Sequence, residues 1–267
     1  MVSPSVTDAG SAVTLRNLTV SYRQHPALHH LSGRFATGSL TAVIGPNGSG
    51  KSTLLKSIMA LLPTAPGQVA LSVPGTRVAY LPQLAELDRG FPIDVRDCVL
   101  LGCWGATHAW GAITTAMLTQ VDAALHAVGL DGFERRPVGS LSSGQMQRVL
   151  FARMLVQDAA LILLDEPFNA MDSKTVAALL ALVRTWHQQQ RTVIAVLHDD
   201  AQVRQHFPQT LLLAREAVAW GATERVLTEP NLRRARAMAE AWDESAERCD
   251  VDSSFPLAQG RPAEGVL

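Results

Sequence analysis

The chain is poor in several features that would fix its class at a glance. Its 267 residues include only three cysteines, Cys98, Cys103 and Cys249, an odd set with no CxxC pair. A disulfide framework is therefore not expected, and a reducing, cytosolic compartment fits best. There is no excess of positive charge either. Twenty-three Lys and Arg against 24 Asp and Glu leave a net charge of −1. A nucleic-acid partner, whose phosphates call for a basic excess or stripe, is not expected. No apolar run approaches the ~18–20 residues needed to cross a bilayer, so any membrane role should be peripheral, through another subunit. Met1 to Ser11 lacks the basic-then-apolar layout of a signal peptide, and none is expected. Nothing repeats with a period of about 20–50 residues, which excludes a solenoid. What is left is a globular chain, 47% hydrophobic, long enough for one large domain or two small ones.

The most informative stretch is Gly45-Pro46-Asn47-Gly48-Ser49-Gly50-Lys51-Ser52-Thr53. It follows the apolar run Leu40–Ile44 and precedes the helix-like Leu54–Leu62. Strand, glycine loop, helix is the setting in which G-x-x-x-x-G-K-[ST] is a phosphate site. The glycines let backbone N–H groups close around an anion, and the helix aims its positive end at the same place. Lys51 is expected on the β- and γ-phosphates and Ser52 on Mg²⁺. The bland alternative is a capped glycine turn with a solvated lysine.

Upstream, Val13–Leu15 and Leu18–Tyr22 read as two strands, and His29–Phe35 as another. The Tyr22 ring could stack on a purine or simply be a half-buried strand aromatic. Pro63 ends the first helix, and Gln68–Val73 and Arg77–Leu81 resemble short strands separated by Pro74-Gly75. Gln83 follows the second of these and, taken alone, reads as a loop residue. From Ala85 to about Leu141 alternation gives way to helical spacing, with Val121, Ala124, Leu125 and Val128 ahead of Gly129. Trp104 and Trp110 mark a less regular stretch within it. At Leu141-Ser142-Ser143-Gly144-Gln145 a helix begins, capped by Ser142 or Ser143, with Met146, Val149, Leu150 and Met154 on one face.

Downstream, Leu161-Ile162-Leu163-Leu164 is a buried strand ending in Asp165-Glu166. Two acids there need a cation or hydrogen bonds to receive them. Asp165 is expected to support Mg²⁺ opposite Ser52, and Glu166 to deprotonate the attacking water. Ser173 is expected to cap a helix to about Gln190. Thr192–Leu197 is a second buried strand ending at His198, placed for a γ-phosphate. Thr210–Ala214 and Ala217–Trp220 close the pattern as a strand pair. A helix from Thr228 to about Trp242 follows, and then an acidic tail expected to be disordered.

In this order Tyr22, Gly45–Thr53, Gln83, Leu141–Gln145, Leu161–Glu166, Asp172 and His198 resemble the nucleotide-binding subunit of ABC transporters, over about residues 12–225. The resemblance implies an α/β fold: a P-loop NTPase (RecA-like) core with an antiparallel β subdomain and an inserted helical subdomain. It implies an ATPase domain over 1–225, with its core in 12–83 and 158–225 and a helical lobe at about 85–157, then a C-terminal helix and tail over 226–267. It also implies that Tyr22 stacks on adenine, Gln83 senses metal and water, and Glu166 is the catalytic base. Ser142, Ser143, Gly144 and Gln145, the family's signature, would hold ATP bound by a second copy, with Asp172 in the loop that crosses the interface. The usual double glycine of the signature is here Ser143-Gly144. Asp88-Arg89-Gly90-Phe91-Pro92 and Glu166-Pro167-Phe168 resemble the ATPase subunits of zinc and manganese importers. The partners implied are a second copy of the chain, a permease gripped from Gln83 to about Trp104, and indirectly a solute-binding protein, all at the cytoplasmic face of the inner membrane. The competing readings are an ABC ATPase for another substrate, a soluble one acting on ribosomes or DNA, and a nucleotide-binding module without turnover.

Overall fold

A computed structural model describes residues 10–22, 25–72, 78–84, 90–104, 112–169 and 171–240. Pro74-Gly75, Asp88-Arg89, Trp110, Trp242 and the acidic tail lie outside these residues.

Two sheets carry the fold. The smaller is antiparallel, in the order β2-β1-β4, from Ser11–Tyr22 (β1), His25–Ala36 (β2) and Val69–Leu71 (β4). The larger has the order β5-β6-β7-β3-β8-β9. Its strands are Leu40–Ile44 (β3), Val78–Leu81 (β5), Leu161–Asp165 (β6), Thr192–Val196 (β7), Gln209–Ala214 (β8) and Glu216–Ala222 (β9). All its pairings are parallel except the closing β8–β9 hairpin. Every residue of β3, β6 and β7 is buried, as expected for parallel strands covered on both faces.

Strand alternation divides the core in two. Val43, Leu161, Leu163, Ile194 and Val196 face the small sheet together with Leu54, Leu55 and Ile58 of the helix Lys51–Ile58 (α1). Ala42, Ile44, Ile162, Leu164 and Ala195 face the other way, against the remaining helices. Burial of each of the three α1 side chains contributes about 1.5–3 kcal/mol. It seats α1 against the sheet with its N-terminus at the strand ends.

The described part of the inserted region is helical: Val95–Leu100 (α2), a short 3₁₀ turn over Leu101–Cys103, and Thr115–Ala127 (α3). Gly129 follows with φ 67°, a position glycine adopts freely. Ser143–Gln157 (α4) then returns the chain to the core, with Met146, Val149, Leu150 and Met154 buried. Ser173–Gln188 (α5) packs on the same face, and its Trp186 ring lies parallel to that of Phe151, centroids 6.0 Å apart. Asp200–His206 (α6), Thr223–Val226 (α7) and Glu229–Glu240 (α8) complete the order.

Several details differ from the sequence reading; α1, expected to run to Pro63, ends at Ile58, and Ala60 takes φ 56°. The two N-terminal strands are one, β1, whose register shifts between Leu15 and Leu18 where Asn17 takes φ 50°. Arg16 and Asn17 break the alternation that marks a strand, but the bulge they form does not break the pairing. The strand expected from Gln68 begins at Val69, because the Gln68 N–H closes the turn before it by donating to Ala65 O at 3.1 Å. The cap of α5 is Asp172 rather than Ser173. Its Oδ1 accepts from Thr175 N at 2.9 Å and its Oδ2 from Thr175 Oγ1 at 2.7 Å. These bonds, the backbone one foremost, hold the Asp172 carboxyl below the usual carboxylate range. Finally, α2, α6 and α7 were not foreseen, being too short for periodicity to declare them.

Candidate nucleotide site

Four parallel strands end on one side of the sheet, and each delivers a polar group there. β3 runs into the glycine loop, β5 into Pro82-Gln83, β6 into Asp165-Glu166, and β7 into Leu197-His198. Ligands of open α/β sheets collect at this edge because loops can converge there without disturbing the buried ladder. A cleft of about 740 Å³ opens between them, lined by Asn47 to Thr53 with Tyr22, Ala27, Gln83, Glu166, Asn169 and His198.

The loop is shaped for an anion. Gly50 has φ 92°, and a Cβ there would lie 2.2 Å from Ala27 O, so only glycine fits. Gly48 has φ 75° and nothing within 4 Å of where a Cβ would stand; that open space belongs to the cleft. Gly45 and Pro46 lie behind the cleft, and their carbonyls accept from Lys51 Nζ at 3.0 and 2.8 Å. Lys51 is buried, and desolvation lowers its pKa against the opposing pull of Glu166 and Asp165.

The acids are tied to the loop and to each other's neighbours. Ser52 Oγ donates to Asp165 Oδ1 at 3.1 Å, with Asp165 fully buried. Gln83 Nε2 reaches both Ser52 Oγ at 3.2 Å and Glu166 Oε1 at 2.9 Å. His198 Nε2 lies 2.6 Å from Glu166 Oε1, and because a carboxylate only accepts, this nitrogen carries the proton. Asn169 Nδ2 donates to Glu166 Oε2 at 2.5 Å. Tyr22, 47% exposed, borders the cleft at its outer end. Ser52 and Asp165 offer a hydroxyl and a carboxylate, the hard oxygen donors that Mg²⁺ takes, so the donor set fits that ion. Among the described residues no three His, Cys, Asp or Glu side chains converge as a metal-binding group.

Of the residues singled out from sequence, Tyr22, Asn47 to Thr53, Gln83, Glu166 and His198 line one cleft, with Asp165 hydrogen-bonded to Ser52. Ser142, Ser143, Gly144 and Gln145 do not line it. They form the N-terminus of α4, where Ser142 Oγ accepts from Gln145 N and Gln145 Oε1 accepts from Ser142 N, a reciprocal capping box. Sequence reasoning placed Asn169 in the loop that runs to Asp172 but gave it no role, and it missed Gln147, whose buried amide donates to Pro167 O at 3.0 Å and ties α4 to the segment after Glu166. No periodic signal marks either one. The S-x-x-Q spacing of Ser142 and Gln145, however, does decide which serine is the cap.

A strand, glycine loop and helix with two acids at the end of a neighbouring parallel strand define a P-loop nucleoside triphosphatase. Residues 28–169, more than half the chain, match the family model described as ABC transporter. The zinc transport system ATP-binding protein TroB of Treponema pallidum is 41% identical over 229 residues, which are 84% of this chain and 86% of that one. The manganese transport system ATP-binding protein MntB of Listeria monocytogenes is 39% identical over 227 residues, 82% of this chain and 93% of that one. Among solved structures, a metal-chelate type ABC transporter in an inward-facing conformation superposes with a TM-score of 0.74 at 28% identity, covering 85% of this chain and 89% of that one. The chain belongs to the ABC transporter family, as an ATP-binding subunit. It is an ATPase, the component of a transport system that hydrolyses ATP.

Proposed function

We propose that this chain drives import of zinc, manganese or a related divalent metal ion through a separate permease. The observation that carries the reading is the meeting of the glycine loop, Gln83, Glu166 and His198 in one cleft, in a chain whose relatives at 41% and 39% identity are named for zinc and manganese transport systems. Tyr22 stacks on the adenine, the loop N–H groups and Lys51 hold the phosphates, and His198 contacts the γ-phosphate. Ser52 and Asp165, with Gln83, would hold Mg²⁺, which supplies charge neutralisation at the β- and γ-phosphates. Glu166 takes the proton of the attacking water, at its Oε1.

Ser142, Ser143, Gly144 and Gln145 complete the site of a second copy, head to tail with the first. Supporting this, the Ser143 and Gly144 N–H groups, which the capping box does not use, open a 15-residue helix whose N-terminus favours an anion, yet they stand outside their own chain's cleft. Supporting a permease contact, Phe91 and Trp104 are 62% and 58% exposed on the segments that flank α2. No described helix is long and apolar enough to cross a membrane, which is consistent with peripheral attachment at the cytoplasmic face. The solute-binding protein meets the permease, and no nucleic acid takes part.

The test is Glu166→Gln. It should bind ATP as wild type, form a stable ATP-bound dimer and hydrolyse at least about 10²-fold more slowly, the lower range for general-base loss. Hydrolysis at the wild-type rate overturns the base assignment. Uptake of radioactive zinc, manganese or ferrous iron by vesicles holding the permease and this subunit tests the cargo; transport of none of the three overturns it.

A further inference from the structure

The two oxygens of Glu166 have different kinds of partner. Oε1 meets Gln83 Nε2 at 2.9 Å and His198 Nε2 at 2.6 Å. Gln83 and His198 line the nucleotide cleft, as Asn169 does, and Gln83 is already shared with Ser52 Oγ. They are the groups that a bound nucleotide would draw toward itself. Oε2 meets Asn169 Nδ2 at 2.5 Å, from the turn that follows Glu166 itself. That turn is closed by Asn169 N donating to Glu166 O at 3.4 Å, and it begins from Glu166 in the left-handed region, φ 51°. A non-glycine residue is held there only when its surroundings fix it.

A carboxylate needs such fixing. The last torsion of a glutamate is broad and nearly two-fold, so without a partner its oxygens exchange places freely. Since Oε2 can only accept, the Asn169 amide must present its NH₂, and the bond is charge-assisted. We propose that Asn169 is a positioning residue for hydrolysis: its amide pins Oε2 so that Oε1 stays turned into the cleft when Gln83 and His198 turn to the nucleotide. The residue touches neither phosphate nor water in this role. It acts through Glu166, and the inference therefore rests on Glu166 being the base.

The consequence is a specific split in kinetics. Asn169→Ala should lower kcat by about tenfold to a hundredfold, the scale of a misplaced reacting group, with KM for ATP unchanged within about twofold. Asn169→Asp keeps the size and turn preference but loses the N–H donor. It should lose at least as much activity as Asn169→Ala, where a purely turn-forming role would leave it near wild type. In single-turnover measurements on Glu166→Gln, adding Asn169→Ala should cause no further loss, because nothing is left for the amide to aim. Thermal melts with and without Mg-ATP show that both variants are folded and bind nucleotide.

A kcat for Asn169→Ala within twofold of wild type overturns the inference, as does a rise in KM that accounts for the whole loss, or a multiplicative loss in the double variant. Glu166→Gln separates the two layers. If it hydrolyses at the wild-type rate, the base assignment fails and takes this inference with it. If it is inactive while Asn169→Ala is fully active, the positioning role alone fails.

Discussion

Ser52 and Asp165 stand 113 residues apart in sequence, yet Ser52 Oγ donates to Asp165 Oδ1 at 3.1 Å. This bond joins the first turn of α1 to the end of β6 and so ties the phosphate loop to the acid strand.

Burial alters the titration of Lys51. Desolvation, the largest influence, puts its folded pKa below the ordinary 10.5, while Asp165 and Glu166 pull the other way. Between the two values the unfolded chain holds the extra proton, so stability should rise as pH climbs through the folded pKa toward 10.5. Lys51→Met should remove that rise, which urea unfolding at a series of alkaline pH values up to 10.5 reads directly. Mg-ATP at a hundred times its Kd should stabilise wild type by about 2.7 kcal/mol and leave the melting point of Lys51→Met unmoved.

The two central loop glycines should fail differently. Gly50→Ala forces a Cβ to 2.2 Å from Ala27 O at φ 92°, so the backbone must move and the fold should lose about 3 kcal/mol. Gly48→Ala meets nothing within 4 Å and should cost only the left-handed penalty of about 1–2 kcal/mol. It should nonetheless abolish nucleotide binding, because its methyl occupies the cradle. Denaturation and fluorescent-nucleotide titration on both variants make the comparison.

Gly144 should show the reverse pattern. It is helical, and a Cβ there would find only Met171 Cγ, 4.0 Å away. Gly144→Ala should therefore stabilise the subunit by about 0.5–1 kcal/mol through helix preference alone. Its ATPase activity at dimer-forming concentration should fall at least tenfold, as the methyl meets the partner's nucleotide; about 1.4 kcal/mol of lost contact suffices for that. An enzyme both more stable and fully active would remove the role in trans.

What the sequence could declare depended on how each residue earns its place. Asp165, Glu166 and His198 were legible because acids and a histidine directly after a buried parallel strand need a reason to be there. Ser52 and Lys51 were legible because glycine spacing encodes their backbone. Asn169 was not, since an asparagine two residues after a proline reads equally as a turn former, and only three-dimensional proximity shows it reaching Glu166. Asp172 and Ser173 are adjacent and both good caps; the choice fell to the side chain that could also bond Thr175 Oγ1. The bulge in β1 and the six residues of α2 were hidden for a simpler reason: each is shorter than the period that would reveal it.

The distance of the α4 capping box from its own cleft has a genetic consequence. A chain crippled at Lys51 still carries a sound Ser142–Gly144, and a chain crippled at Gly144 still carries a sound loop. If the two pair head to tail as proposed, both lesions would fall into one composite site and the other site would be built wholly from intact halves. Two alleles, each inactive in its homozygote, can then complement each other, whereas two lesions within the same loop never can.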